Sequence, residues 1–157
     1  MQNKLYIFSG PPSFEEQDEI VIKHFVSLNG KKAVCGSTTL KVFCKITGEA
    51  AKLKPKSLVF GNPPEYEVSG LDFASEGILT LNAVFADLKK GAKLPKLPLS
   101  NLILSVDEII FITGDAQNKF YDADFYKRTN VLPRCEIIDK IVLLLKENGK
   151  TALKEKL

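Results

Sequence analysis

The sequence of 157 residues contains no tryptophan, one histidine and three cysteines. No cysteine belongs to a Cys-x-x-Cys pair or has a histidine at ligand spacing, so neither a disulfide framework nor a zinc site is expected. Cys35, in an apolar run, is predicted to be a buried small hydrophobe rather than a nucleophile. The histidine, His24, falls in the middle of a predicted helix, and we interpret it as a half-buried structural residue rather than a catalytic base.

Long apolar runs are also missing. Runs such as 109–112 and 141–145 are far shorter than the roughly 18 residues that a membrane span requires. The apolar stretch near the N-terminus is too short for a signal peptide. Lysine and arginine exceed the acidic residues only by 22 to 19, too little to argue for nucleic acid. We therefore expect a cytoplasmic protein with no membrane or nucleic-acid partner, and the length predicts one domain spanning 1–157.

Short apolar runs alternate along the chain with longer stretches of helical spacing, as is typical of a parallel sheet covered by helices. Strands are predicted at 5–8, 33–35, 71–74, 108–112 and 151–153, with an edge strand at 58–60. Helices are predicted at 13–28, opened by a Ser13 and Glu16 capping box, and at 40–47, 78–89, 99–106 and 134–147. The expected fold is a three-layer α/β/α sandwich with a mostly parallel, Rossmann-like sheet of four to five strands.

Small and polar residues follow four of the predicted strands. In an open α/β sheet, ligands bind outside the carboxyl ends of the strands, where helix N-termini expose unpaired N–H groups. The candidate ligand-binding residues are Gly10, Gly36, Ser37, Thr38, Thr39, Ser75, Glu76, Gly77, Gly114, Asp115 and Asn118.

The segment 36–39 is the strongest candidate, because its glycine admits an anion close to the backbone and three hydroxyls follow. It matches neither a Walker loop nor a dinucleotide fingerprint. Helix capping by these hydroxyls is an equally open interpretation.

Two carboxylates, Glu76 and Asp115, leave other functions open. They are candidates for the acid and base of a small-metabolite enzyme, or for binding a sugar hydroxyl or a cation. Glu76, with its neighbours Ser75 and Gly77, is interpreted in preference as a negatively charged helix start. A third hypothesis is a structural or homodimerisation module whose contact surface is the aromatic segment 120–126.

Several motifs, in order, resemble the C-terminal domain of bacterial stage II sporulation protein E-like (SpoIIE-like) serine phosphatases. The motifs are Ser9-Gly10-Pro11-Pro12, Asp18-Glu19, the run 32–39, Gly70-Leu71-Asp72, the run 76–81, the run 107–114, Asn118, Arg134 and Asn148-Gly149-Lys150. The resemblance covers nearly the whole chain. It implies an accessory or regulatory module that partners a phosphatase catalytic domain, in cis or in trans, and binds a ligand of unknown chemistry without a known cofactor.

Family members carry the metal-binding aspartates of the phosphatase in an upstream domain. No Asp-Gly pair occurs in these 157 residues, so phosphatase activity is not expected of them. Ser37 replaces the family's second glycine, which removes backbone freedom and adds a hydroxyl. Asp115 stands where the family usually has arginine, and an anion in place of a cation argues against a phosphate ligand.

Overall fold

The computed structural model describes residues 3–55, 63–90, 97–115 and 123–157. Within them, seven strands are β1 (Lys4–Phe8), β2 (Lys31–Cys35), β3 (Lys52–Leu53), β4 (Glu65–Glu67), β5 (Phe73–Ser75), β6 (Glu108–Thr113) and β7 (Thr151–Lys156). Six helices in the same residues are α1 (Asp18–Ser27), α2 (Ser37–Thr47), α3 (Gly77–Lys89), α4 (Pro98–Leu104), α5 (Ala123–Thr129) and α6 (Arg134–Glu147). A 3-10 turn at Glu15–Gln17 precedes α1.

All seven strands form one sheet in the order β3-β4-β5-β2-β1-β6-β7. The five strands from β5 to β7 are parallel, whereas β3 and β4 pair antiparallel at one edge. The prediction of an α/β fold with a mostly parallel sheet is therefore confirmed.

The predicted count of four to five strands is too small. The sequence analysis missed β3 and β4, which have only two and three residues and consist of Lys-Leu and Glu-Tyr-Glu. Such short polar segments carry no strand pattern of their own, and they become strands through pairing with β5. The edge strand predicted at 58–60 lies outside the described residues.

The order in which the chain adds strands to the sheet reverses between β1 and β6. The chain runs from β1 to β2 and then to β5, always towards the same edge, and afterwards returns to β6 and β7 on the other side of β1. In a doubly wound sheet, this topological switch point opens a crevice at the carboxyl ends of the two central strands. The fold thus places the loops after β1 and β6 where such sheets bind ligands.

Buried side chains of β1 alternate between the two faces of the sheet. Leu5 and Ile7 belong to one hydrophobic cluster, and Tyr6 and Phe8 belong to the other. The first cluster includes residues of α3, α4 and α6, namely Leu81, Val84, Leu99, Ile103, Ile137, Ile138 and Ile141. The second includes residues of α1 and α2, namely Ile22, Phe25, Leu40 and Phe43. Each cluster therefore joins alternate residues of β1 to a different set of helices.

Some local expectations were wrong. The first helix begins at Asp18 rather than 13, after the 3-10 turn at Glu15–Gln17 and without the capping box. The second helix begins at Ser37 rather than 40. His24 is exposed rather than half-buried, since Ile22 and Phe25 define the buried face of α1.

Candidate functional site

Hydrogen bonds join the loops that follow β1, β2, β5 and β6. The backbone N–H of Gly114 donates to the carbonyl of Gly10 at 2.7 Å, and the Gly10 N–H donates to Thr39 Oγ1 at 2.8 Å. The Gly36 N–H donates to the carbonyl of Ser75 at 2.9 Å. The structure therefore brings together the four loops that carry the predicted site residues.

Two of these loops depend on glycine. Gly10 has a φ of 100°, and a Cβ there would lie 2.7 Å from Cζ of the Arg134 guanidinium. Gly36 has a φ of 146°, and a Cβ there would lie 2.8 Å from Thr39 Oγ1. Positive φ is costly for any residue with a Cβ, and here the space of the Cβ is also occupied. The guanidinium near Gly10 is the far end of a flexible side chain, so the backbone conformation is what requires glycine there. At Gly36 the short Thr39 side chain adds a packing requirement.

The predicted hydroxyls divide into two groups. Thr39 and Ser75 are buried, at 1% and 0% exposure, and both are engaged within the protein. Thr39 accepts the Gly10 N–H, while the Ser75 hydroxyl donates to Thr80 Oγ1 at 2.9 Å. Ser37 is half-buried and Thr38 is exposed, so these two hydroxyls remain accessible to a ligand.

Helices α2 and α3 begin next to each other. A Cβ at Gly77 would lie 3.9 Å from Cα of Gly36, so their first residues are neighbours. The first intrahelical bond of α2 joins the Leu40 N–H to the carbonyl of Gly36, which leaves the N–H groups of 37–39 without an acceptor inside the helix. The N-cap of α2 is Gly36, which has no side chain to cap it, and the N-cap side chain of α3, Glu76, makes no capping bond in the described structure. Both starts therefore offer amide donors and positive dipole ends at this edge.

The two candidate carboxylates do not form a pair. Tyr66 Oη donates to Glu76 Oε1 at 3.2 Å and draws this carboxylate towards β4, away from β2. Burial, together with the charge of Glu76, raises the pKa of Tyr66. Asp115 is exposed and follows β6, three strands from β5, which at the usual strand spacing is about 14 Å. This separation argues against a shared acid and base role.

Arg134 is a site residue that the sequence analysis did not select. It is the first residue of α6, is half-buried, and lies against Gly10 at the topological switch point. Burial lowers the pKa of its guanidinium. A useful signal was present in the sequence, because the positive end of a helix dipole disfavours a cation at the first position. Arginine there indicates a role other than helix formation.

A row of small polar side chains crosses the carboxyl ends of the central strands. Cys35 pairs with Ser75, and continuing the register of β1 by one residue aligns Ser9 with Cys35 and Thr113. All four are at most 2% exposed and, by alternation, lie on the face that α3 and α6 cover. Burial raises the pKa of Cys35 to about 12, which a hydrogen bond with Ser75 only partly offsets. Cys35 is thus the buried, inert thiol that the sequence predicts.

Ser9 differs from its neighbours in this row. Its Oγ is buried and has no hydrogen-bond partner within the described part of the chain. Its backbone N–H extends the ladder of β1 by donating to the carbonyl of Ile112 at 3.0 Å. A buried hydroxyl without a partner is uncommon and calls for an explanation.

The remaining predicted features are only partly visible. Asn118 lies outside the described residues, as do Phe120 and Tyr121 of the aromatic segment. Phe125 and Tyr126 of that segment are half-buried in α5, with ring centroids 5.5 Å apart. The two rings contact each other edge to face, and the homodimer hypothesis stays a prediction.

In the four described ranges, no group of three or more histidine, cysteine or acidic residues is arranged to hold a metal ion. Among the same residues, no helix is long and apolar enough to cross a membrane. Comparison of the chain with protein-family models, with curated proteins and with solved structures finds no match.

Proposed function

We propose that the chain is a non-catalytic ligand-binding or regulatory domain. It acts in the cytoplasm with a SpoIIE-like serine phosphatase catalytic domain, in cis or in trans, and binds a small polar or anionic ligand at the carboxyl ends of its strands. We also propose that the domain is a three-layer α/β/α sandwich. The two hydrophobic clusters on opposite faces of the sheet support this architecture.

The observation that carries the proposal is the location of Arg134. Its guanidinium lies against Gly10 at the topological switch point, and Gly10 is bonded directly to Thr39 in the first turn of α2. A cation, the hydroxyl residues Ser37 and Thr38 at the surface, and helix amides that have no acceptor inside α2 therefore share one edge of the sheet. This is the edge at which open α/β sheets bind their ligands.

A thermal-shift screen of the purified chain tests ligand binding. The panel contains phosphate, nucleotides, sugar phosphates, amino acids and divalent cations. A ligand at 100 times its dissociation constant stabilises the native state by about 2.7 kcal/mol, which raises Tm by roughly 5–10 °C for a domain of this size. The site assignment predicts that Thr38→Val weakens the shift, because the exposed hydroxyl is lost while the fold is kept.

Regulation is tested by adding the chain to a SpoIIE-like phosphatase catalytic domain. The proposal predicts that dephosphorylation of a phosphopeptide changes with the concentration of the chain, and changes again when the ligand is added. A full panel without a thermal shift, together with an unchanged phosphatase rate, would refute the proposal. A structural role with a protein partner would then be the better hypothesis.

A further inference from the structure

The strand β7 forms one lateral edge of the sheet. All six of its residues pair in register with β6, from Thr151 opposite Glu108 to Lys156 opposite Thr113, without a bulge. On its other side β7 has no neighbouring strand within the described part of the chain. The opposite lateral edge, β3, has only two residues. Short edge strands, bulges and prolines commonly protect an edge from pairing with another chain, and β7 has none of these features.

The direction of the backbone groups of β7 follows from its pairing with β6. The N–H of Thr151 donates to the carbonyl of Asp107 at 3.1 Å, so the odd-numbered residues of β7 face β6. Backbone groups alternate in direction along a strand, and the even-numbered residues therefore turn their N–H and C=O groups to the free side. These residues are Ala152, Lys154 and Lys156.

A buried apolar row of the sheet reaches this lateral edge. Tyr6, Ile110 and Leu153 are aligned by the registers of β1 with β6 and of β6 with β7. Tyr6 and Ile110 are 9% and 5% exposed, whereas Leu153 is 36% exposed. An apolar side chain beside Leu153 would extend the row by one strand and remove more of this leucine from water.

The charge in the middle of β7 is balanced within the chain. Lys154 Nζ lies 2.6 Å from Asp139 Oδ1 of α6, and the Lys154 side chain is only 19% exposed. The ion pair holds the ammonium over the face of the sheet that α6 covers. A lysine that protects an edge strand projects into the path of an incoming strand, and this one is held elsewhere.

A second copy of the chain fits this lateral edge in an antiparallel register. A two-fold axis at Leu153 places the two Leu153 side chains directly opposite each other. Ala152 of each copy then exchanges two backbone hydrogen bonds with Lys154 of the other. Glu155 of each copy faces Thr151 of the other, so no like charges are opposed from 151 to 155. An axis at 154 or at 155 would instead place Lys154 or Glu155 opposite its own copy.

The only like charges opposed in the register centred on Leu153 lie at its ends. Lys156 falls opposite Lys150 of the second copy. The Nζ of Lys150 donates to the carbonyls of Val106 at 2.6 Å and of Leu104 at 3.3 Å. This ammonium is thus engaged at the end of α4 in its own chain, which limits its repulsion of Lys156.

We propose that the chain forms a two-fold homodimer through β7. The two sheets continue into each other across an antiparallel β7–β7 junction, and the contact surface is this strand edge rather than the aromatic segment 120–126. One strand edge is a small interface, so the dimer is weak, with a dissociation constant in the micromolar range. This inference goes beyond the ligand-binding function and does not depend on it.

Sedimentation equilibrium of the chain over a wide range of concentrations tests the dimer. Leu153→Lys is expected to raise the dissociation constant about tenfold or more, because it replaces the apolar contact on the axis by two opposed lysines. Leu79→Lys is the matched control, since Leu79 is 39% exposed but belongs to α3, which follows β5 on the other side of β1. It should leave the dissociation constant unchanged.

A second pair of variants tests the backbone hydrogen bonds of the junction. Lys154→Pro and Lys154→Ala both lose the ion pair with Asp139, but only proline also removes the N–H on the free side. Proline is tolerated in an edge strand where the N–H faces outwards, so both variants should keep the far-ultraviolet circular dichroism of the wild type. Lys154→Pro should bind its own copy several-fold more weakly than Lys154→Ala does.

Amide hydrogen exchange of the wild type gives a local measurement that depends on no variant. The Lys154 N–H should be protected only at concentrations at which the dimer forms. The Glu155 N–H faces β6 and should be protected at every concentration.

The outcomes distinguish the β7 junction from other contacts. A chain that stays monomeric at every concentration overturns the dimer. Equal dissociation constants for Leu153→Lys and Leu79→Lys, or for Lys154→Pro and Lys154→Ala, overturn the junction, as does exchange at Lys154 that is independent of concentration. A dimer that survives these changes would use another surface, such as the aromatic segment. The thermal-shift screen tests the ligand-binding function separately.

Discussion

The bond between Gly10 and Thr39 is expected to contribute measurably to stability, and Thr39→Val removes it with little change in shape. The Gly10 N–H donates to Thr39 Oγ1 at 2.8 Å, and both residues are buried. Valine retains the branched side chain but has no acceptor, so the amide is left without a partner in a place that water does not reach. An unsatisfied buried group of this kind costs about 1–3 kcal/mol. For a domain of this size, that lowers Tm by about 2–12 °C.

Urea unfolding followed by circular dichroism measures the loss directly, as a lower midpoint at an unchanged m value. Thr38→Val is the matched control, since Thr38 is the adjacent residue of the same helical turn and is exposed, so its change should stay within about 0.5 kcal/mol. Amide exchange adds a local readout, because the Gly10 N–H should exchange faster in Thr39→Val. Equal stability of the two variants would refute the role assigned to this bond.

Three further predictions concern the same edge of the sheet. Gly36→Ala should destabilise the fold more than Gly70→Ala. Both glycines have positive φ, which costs a residue with a Cβ about 1–2 kcal/mol, but only at Gly36 would the Cβ meet another group, Thr39 Oγ1 at 2.8 Å; equal urea midpoints for the two variants would contradict the packing argument. At pH 8, iodoacetamide should modify the exposed Cys135 and spare the buried Cys35, as mass spectrometry of the native protein would show; equal modification would contradict the burial. Burial raises the pKa of Cys35 from 9.0 to about 12 in the native state. The contribution of the neutral thiol to the free energy of unfolding is therefore complete below pH 9 and is lost above it, by at most about 1.4 kcal/mol per pH unit. Wild type should lose stability faster than Cys35→Ala between pH 9 and 11, and urea midpoints that fall in parallel would contradict this.

Elements with a strong local pattern could be predicted from the sequence. The bounds expected for α6, 134–147, agree with the structure, because its apolar residues recur at helical spacing over four turns and Gly149 follows its end. The strand β6 was also evident, since 109–112 is an uninterrupted apolar run whose residues are buried on both faces. The segments β3 and β4 were not evident, because strand formation there depends on partners distant in the chain.

In the candidate site, too, some features follow from the local sequence and others depend on contacts between residues distant in the chain. The sequence by itself determined that glycine and hydroxyl loops follow the strands, since each strand and the loop after it are neighbours in the chain. Only the tertiary structure decided that Thr39 serves the fold while Thr38 remains accessible, and that Glu76 is drawn towards β4. It alone placed Arg134 beside Gly10, because that contact joins residues more than a hundred positions apart through the packing of α6 on the sheet. Local periodicity carries no information about such a pair, and long-range packing creates it.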